Sequence, residues 1–154
     1  QERLEDLHLK GAIERAVRCF NLVLTSYHID VSFIDVPGNL TVGPMIEGEL
    51  YAILLNLLSN AIKSVIANPG PRRQIYFSAE PYGQKARMTV SDSGLGLEER
   101  FYDDVFTPFI SDPSGELYDR LGRAANPQDT HVFGTGSGLG LSIVRDIVTG
   151  RGGE

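Results

Sequence analysis

Asn56, Asn60 and Lys63 follow one another at helical spacing and could together serve a metal-bound phosphate. An Asn side-chain carbonyl is a neutral oxygen ligand. It suits Mg²⁺, which keeps several waters and takes a few protein oxygens plus substrate phosphates. A Lys one turn on adds a point charge for those phosphates. Taken alone, the three residues would equally describe a solvated helix face. A second group, Asp92-Ser93-Gly94-Leu95-Gly96, places a carboxylate at the end of an apolar strand pattern. Such a carboxylate can accept a hydrogen bond from an exocyclic amine such as adenine N6, and glycines let backbone approach a flat ring. Read blandly, the same five residues are a turn after a strand. The third group is Gly134-Thr135-Gly136-Ser137-Gly138-Leu139-Gly140-Leu141-Ser142. Alternating glycines that open into a helix offer unpaired N–H groups and the positive end of the helix dipole to an anion. The spacing fits neither the P-loop nor the Gly-x-Gly-x-x-Gly pattern, which disfavours both of those folds.

Elements must hold these groups. Leu50, Ile53, Leu54, Leu57, Leu58, Ala61, Ile62 and Val65 keep an i, i+3, i+4, i+7 rhythm that ends at Asn68-Pro69-Gly70-Pro71. At about 100° per residue, Asn56, Asn60 and Lys63 cluster almost opposite that stripe. Residues 74–79 and 87–91 read as a hairpin turning at Pro81-Tyr82-Gly83, with Met88, Val90 and Asp92 on one face. Upstream, a single helical stripe is expected from about Leu9 to Tyr27, with Cys19 as a small core residue. A strand over Asp30–Val36 follows, with Val31, Phe33 and Ile34 candidates for the interior, then a turn at Pro37-Gly38-Asn39 and a short returning strand over Leu40–Val42. A last helix is expected from Leu141 to about Val148. Between them, residues 110–140 show no periodicity, and a loop of that length in a compact domain suggests a functional lid or a disordered segment. Phe106 and Phe109, just before it, read as core anchors pinning the lid's base.

Composition narrows the function further. The 154 residues fit one domain. A net charge of −6 argues against a general nucleic-acid or membrane-surface binder, yet leaves room for a small anionic ligand. A single cysteine excludes an internal disulfide and a zinc site. There is no run of about 18 apolar residues, and residues 1–10 lack the apolar stretch of a signal peptide. The expected location is cytoplasmic, in a parent protein that segments outside this chain could anchor to a membrane.

The order and spacing of the motifs together are more specific than any one of them. Leu55 to Lys63 resembles the N box of sensor histidine kinases, Asp92 to Gly96 their G1 box, Phe106 to Phe109 their F box and Gly134 to Ser142 their G2 box. The tail from Ile143 to Gly153 is similar to the helix and Gly-Gly turn that follow in that family. The resemblance implies an α/β, two-layer sandwich of the Bergerat ATP-binding type: a mixed, mostly antiparallel sheet backed by about three helices, with a long ATP lid at about residues 110–134. It implies a single catalytic domain over residues 1–154, with ATP and Mg²⁺ as cofactors. Asn60 and Asn56 would be the metal and phosphate residues, Lys63 a phosphate contact, and Asp92 the partner of the adenine amine. Gly94 and Gly96 would lie at the ring's edge, and Gly134, Thr135, Gly136, Ser137, Gly138, Leu139 and Gly140 along the phosphates.

The implied activity is that of a protein histidine kinase. The γ-phosphoryl group passes to a histidine on a separate dimerisation domain, and afterwards to a response regulator. Asn56 stands where related ATP hydrolases and anti-sigma serine kinases carry a Glu, and an amide cannot abstract a proton at neutral pH. That favours a kinase over an ATP hydrolase or serine/threonine kinase of the same fold, and the intact N, G1 and G2 boxes favour it over a non-catalytic nucleotide-binding module. His8, His28 and His131 do not match the family's acceptor box, so no catalytic histidine is assigned to this chain. Residue 64 is Ser where many members of the family carry an aromatic beside the base. Arg120 and Arg123 are the candidate positive contacts in the lid.

Overall fold

The computed structural model describes residues 2–68, 70–108, 112, 113, 115–129 and 140–154. In chain order, strand β1 (Glu5–His8) leads directly into helix α1 (Leu9–Cys19), followed by α2 (Asn21–Ser26), β2 (Asp30–Asp35), β3 (Thr41–Met45) and the long α3 (Glu47–Ala67). A hairpin of β4 (Gln74–Tyr82) and β5 (Lys85–Asp92) comes next. Two single 3₁₀ turns, Glu99–Phe101 and Asp104–Phe106, precede α4 (Glu116–Ala124). A third turn at Pro127–Asp129 follows, and α5 (Gly140–Gly150) closes the series.

Among the described residues the strands form two sheets rather than one, with antiparallel pairing everywhere except between β2 and β4. β4 lies between β2, which it pairs in parallel, and β5, which it pairs antiparallel; β1 and β3 form a separate antiparallel pair. A parallel pair needs a crossover connection, and α3 supplies it between β2 and β4. The Leu40–Val42 segment therefore does not return onto β2. Its strand, β3, pairs β1, with Leu7 opposite Val42. The hairpin is longer than the sequence pattern suggested, with Tyr82 opposite Lys85 across a Gly83-Gln84 turn. Pro81 is tolerated inside β4 because β2 reaches only to Ser78, so β4 has a single neighbour there.

α3 is the spine of the core. Leu54, Leu58, Ile62, Val65 and Ile66 are sealed from solvent against Leu9, Ile13 and Ala16 of α1 and Ile75 and Phe77 of β4. At 21 residues and a mean hydropathy of 1.6, α3 is long and apolar enough to cross a bilayer by length and composition, but here its stripe is buried in protein and the other side carries the polar triad. Its start is capped by Glu49, whose carboxylate accepts the Ile46 N–H at 3.0 Å and the guanidinium of Arg151 at 2.8 Å. Arg151, and then the Ile46 N–H, hold the Glu49 carboxyl below its ordinary range.

Four further expectations need correction. The stripe from Leu9 to Tyr27 is two helices, broken at Phe20 (φ −105°, ψ 13°). No Gly or Pro marks the break. It keeps Leu24 and Tyr27 inside while Cys19 and Leu22 turn to solvent, so Cys19 is not a core residue. Ile34 is 79% exposed and does not pack inward. The segment read as an aperiodic lid contains α4, which packs along α3 and sends Leu121 into the core.

Candidate functional site

α3 fixes the first group of side chains. The Asn56 amide nitrogen donates to the Ala52 carbonyl at 2.6 Å. A carbonyl only accepts, so this bond holds the Asn56 Oδ1 on the other side, facing the start of α5. A Cβ added at Gly140 would come within 2.8 Å of that oxygen, so a side chain there would displace the Asn56 amide from its present place. Asn60 is exposed one turn on, and Lys63 is half-buried with its ammonium 5.8 Å from the Tyr118 ring centre.

The Asp92 loop is stitched to the end of α3. The last carbonyls of a helix lack intrahelical partners. The Leu95 N–H answers one of them, reaching the Ser64 carbonyl at 3.1 Å and the Ser64 hydroxyl at 2.9 Å. Behind it, the Asn68 amide donates to the Ser93 carbonyl at 2.7 Å, and the Ser93 hydroxyl bridges the Arg72 carbonyl and the Gln74 N–H at 2.8 and 2.9 Å. The Asp92 carboxylate accepts the Gly94 N–H at 2.8 Å.

These parts surround one cavity of about 730 Å³, within the usual range for a small-molecule site. Asn56, Asn60, Lys63, Asp92, Gly96 and Gly140 all line it. Gly94 does not. It presses against α3 instead, where an added Cβ would lie 2.5 Å from the Ser64 carbonyl carbon and 2.6 Å from Asp92 Oδ1. Its missing side chain thus serves loop-on-helix packing rather than contact with a ring. Gly134, Thr135, Gly136, Ser137, Gly138 and Leu139 lie outside the described residues, as do Phe109 and His131. Phe106 is not a core anchor: it is 38% exposed, with the Arg145 guanidinium 5.4 Å from its ring centre.

The wall opposite α3 comes from the segment that showed no periodicity. Asp112, Glu116, Leu117 and Tyr118 line the cavity, and Asp112 caps α4 by accepting the N–H groups of Leu117 and Tyr118 at 3.2 and 3.0 Å. Two i, i+4 pairs, Glu116–Arg120 and Asp119–Arg123, run along α4 and occupy the arginines proposed as lid contacts. Those pairs, with Leu117, Tyr118 and Leu121, are the signal that could have revealed the helix.

Burial acts on two of the charged groups that line the cavity, Asp92 and Lys63. Asp92 keeps access to solvent, but the walls around it push its carboxyl above the ordinary range, against the pull of the Gly94 N–H and the Ser64 hydroxyl. Desolvation lowers Lys63. Each charge is therefore disfavoured by its surroundings, and a ligand bringing a donor to Asp92 and an anion to Lys63 would relieve both. No group of three or more His, Cys, Asp or Glu suited to a metal occurs among the described residues. Two neutral amide oxygens cannot cage Mg²⁺ alone. They fit an ion that arrives with phosphate oxygens and waters in its shell.

Residues 45–154 match the family described as histidine kinase-, DNA gyrase B-, and HSP90-like ATPase. The chain belongs to that family. Among its relatives, the autoinducer 2 sensor kinase/phosphatase LuxQ of Vibrio vulnificus is 32% identical over 110 residues, which cover 69% of this chain and 11% of that protein. The sensor protein KdpD of Rathayibacter rathayi is 32% identical over 115 residues, covering 73% and 11%. The catalytic domain of the histidine kinase ThkA has the same fold, with a TM-score of 0.72 at 23% identity over 97% of this chain and 82% of that one. The mycobacterial sensor histidine kinase MprB follows at a TM-score of 0.68 and 23% identity, over 96% of this chain and 82% of that one. Family, fold and relatives are those of the ATP-binding catalytic domain of two-component sensor kinases. The chain spans about a ninth of the length of these first relatives, which read 11% each.

Proposed function

We propose that this ATPase-family domain binds Mg·ATP and donates the γ-phosphoryl group to a histidine carried by a separate helical domain of a cytoplasmic kinase module. The observation that carries the reading is a single cleft where the Asp92 carboxylate, two helix amides and a lysine meet the first residue of a glycine-preceded helix. In this reading the Asp92 carboxylate accepts the adenine amine, with Gly96 beside the ring. Asn60 and Asn56 turn their amide oxygens toward the metal and the phosphates, Lys63 neutralises phosphate charge, and residues 134–140 follow the phosphate chain. Bound Mg²⁺ would supply charge neutralisation at the phosphates. The chain's own residues position the nucleotide, and phosphoryl transfer asks for positioning and electrostatics more than for protein covalent chemistry. The half-buried amide of Asn56, already committed to Ala52, cannot serve as a base for water. That supports a kinase with an external nucleophile over a hydrolase. The phosphorylated histidine would then pass its group to a response-regulator aspartate.

Calorimetric titration with a non-hydrolysable ATP analogue, with and without Mg²⁺, tests the binding half. Saturable, Mg²⁺-strengthened binding is expected. Supplying a helical acceptor domain in trans with labelled ATP tests the other half, where label should move to an acid-labile phosphohistidine. Fast ATP hydrolysis by this chain alone would transfer it to the hydrolases, and no nucleotide binding would end the proposal.

A further inference from the structure

α5 meets α3 at both of its ends. At its start, the Gly140 backbone lies so close to Asn56 Oδ1 that a Cβ there would come within 2.8 Å of it. At its end, Arg151 grips Glu49 in a fork: Nε donates to one carboxylate oxygen at 3.0 Å and Nη2 to the other at 2.8 Å. Glu49 and Asn56 share one face of α3, about two turns or about 10 Å apart. The two helices therefore run antiparallel, with an anion at the positive end of α3 and a cation at the negative end of α5. A turn holds Arg151 in place. The Gly152 N–H donates to the Thr149 carbonyl at 3.0 Å and the Gly153 N–H to the Val148 carbonyl at 2.9 Å, the pattern of a Schellman cap. Gly152 has φ +82°, and a Cβ at Gly153 would lie 2.7 Å from Val148 Cγ1, so a side chain at either position brings strain. The glycine pair of the tail thus ends α5 in the shape that sets Arg151 against Glu49.

We propose that Glu49 and Arg151 are a positioning pair for the phosphate end of the cleft: their fork sets where α5 sits along α3, and so where Gly140 meets the Asn56 oxygen. Gly140 and Asn56 line the cavity, whereas Glu49 and Arg151 do not, so the pair acts through the helix rather than by touching a ligand. Its chemistry suits that task. A planar guanidinium meets a carboxylate through two parallel bonds, which resist sliding and twisting better than a point charge does. The bond from the Ile46 N–H at 3.0 Å ties the carboxylate to the start of α3. The two side chains remain 32% and 24% exposed, so solvent screens the pair and its worth lies in register more than in stability. The rest of the seat is apolar, with Val144 buried and Ile147 and Val148 packed beside it, and apolar contact has no direction of its own. The Asp92 loop is fastened to the far end of α3 by the Leu95 and Asn68 bonds and does not depend on α5. Loss of the fork should therefore be felt at the phosphates and not at the base.

The inference rests on the ATP reading above, and the experiment separates the two. The whole chain is compared with Glu49→Gln, Arg151→Lys, the double variant and Leu58→Ala. Glu49→Gln keeps an acceptor for the Ile46 N–H, and Arg151→Lys keeps the charge but not the fork. Binding of Mg·ATP and of adenosine is followed by NMR titration, and the Asn56 side-chain amide signal is recorded without ligand. Each single variant should weaken Mg·ATP about three- to tenfold, leave adenosine binding unchanged and shift the Asn56 signal. The double variant should be little worse than either single one, because both break the same contact. Leu58→Ala, which weakens the core side of α3, should alter neither affinity. Equal loss of Mg·ATP and adenosine would make the pair merely structural and overturn the inference. Unchanged Mg·ATP affinity, an unmoved Asn56 signal or losses that add in the double variant would overturn it as well. Should the unaltered chain bind no Mg·ATP, the ATP reading falls, and the Asn56 signal alone decides whether the pair positions that amide.

Discussion

At the scale of single residues, binding and stability pull Asp92 in opposite directions. Burial pushes its carboxyl above the usual range, so the folded chain holds that proton more tightly than the unfolded chain. The protonated form favours folding, and this contribution is lost as pH rises from the ordinary carboxylate value through the raised one. Asp92→Asn should therefore leave neutral-pH stability intact or slightly higher, because the amide oxygen can still accept the Gly94 N–H. The same change should weaken ATP binding by about 1.5–3 kcal/mol. Thermal melts and calorimetry on one sample would test both, and a large fall in melting temperature with unaltered affinity would reverse the assignment. In the unaltered chain, preference for ATP over its amine-free analogue should fade on acidification at a pH above that of a free aspartate. Asn60→Ala should remove most of the Mg²⁺ dependence of nucleotide binding, and a full Mg²⁺ effect in that variant would move the metal site elsewhere. The residue types announced this chemistry in the sequence, but not its geometry. That Gly94 serves Ser64 rather than a ring, and that the Asn56 amide is tied to Ala52, could be learned only from the packing.

At the scale of elements, α4 is held at both ends of its span. Leu121 is 3% exposed against the core, and Asp112 caps the first turn. Beyond the helix, the Tyr27 hydroxyl donates to Asp129 at 2.6 Å and accepts the Asn126 N–H at 2.9 Å, tying the chain after α4 to the end of α2. The amides of α4 should therefore exchange slowly even without nucleotide. Leu121→Ala should cost about 2–5 kcal/mol if the helix stays docked and must leave a cavity. It should cost less, with fast exchange confined to residues 116–125, if α4 detaches as a unit. Hydrogen exchange resolved by segment separates these outcomes, and unprotected α4 amides in the unaltered chain would contradict the docked helix. Tyr27→Phe, losing one hydrogen-bonded hydroxyl, should destabilise by about 1 kcal/mol and raise exchange near Asn126. The helix escaped the sequence reading because nine residues with a glycine at 122 carry little intrinsic preference. The long, regular stripe of α3 needed no such help.

At the scale of the whole molecule, one helix does two jobs. The inward side of α3 packs against α1 and β4, and its outward side floors the cleft, so the site inherits the rigidity of the core. Leu58→Ala, on the sealed side, should lower stability by about 2–5 kcal/mol, or about 2–4 °C in melting temperature per kcal/mol for a chain of this size. At temperatures where the variant stays folded, nucleotide affinity should barely change; a large loss of affinity in fully folded protein would mean that the two sides of α3 are coupled.

The sequence by itself determined the long helix, the hairpin and the residue types that meet in the cleft, because periodicity and glycine placement are local properties written along the chain. It also determined that the side chain at position 56 is an amide and not a carboxylate. Tertiary structure decided where the first stripe breaks, which strand β3 joins, and that residues 116–124 of the expected lid form a helix whose first turn lines the cavity. Each of those outcomes depends on partners distant in sequence: β1 for β3, α3 for α4, and the core for Leu24 and Tyr27. The energy of such contacts belongs to the pair and cannot be read from either residue alone.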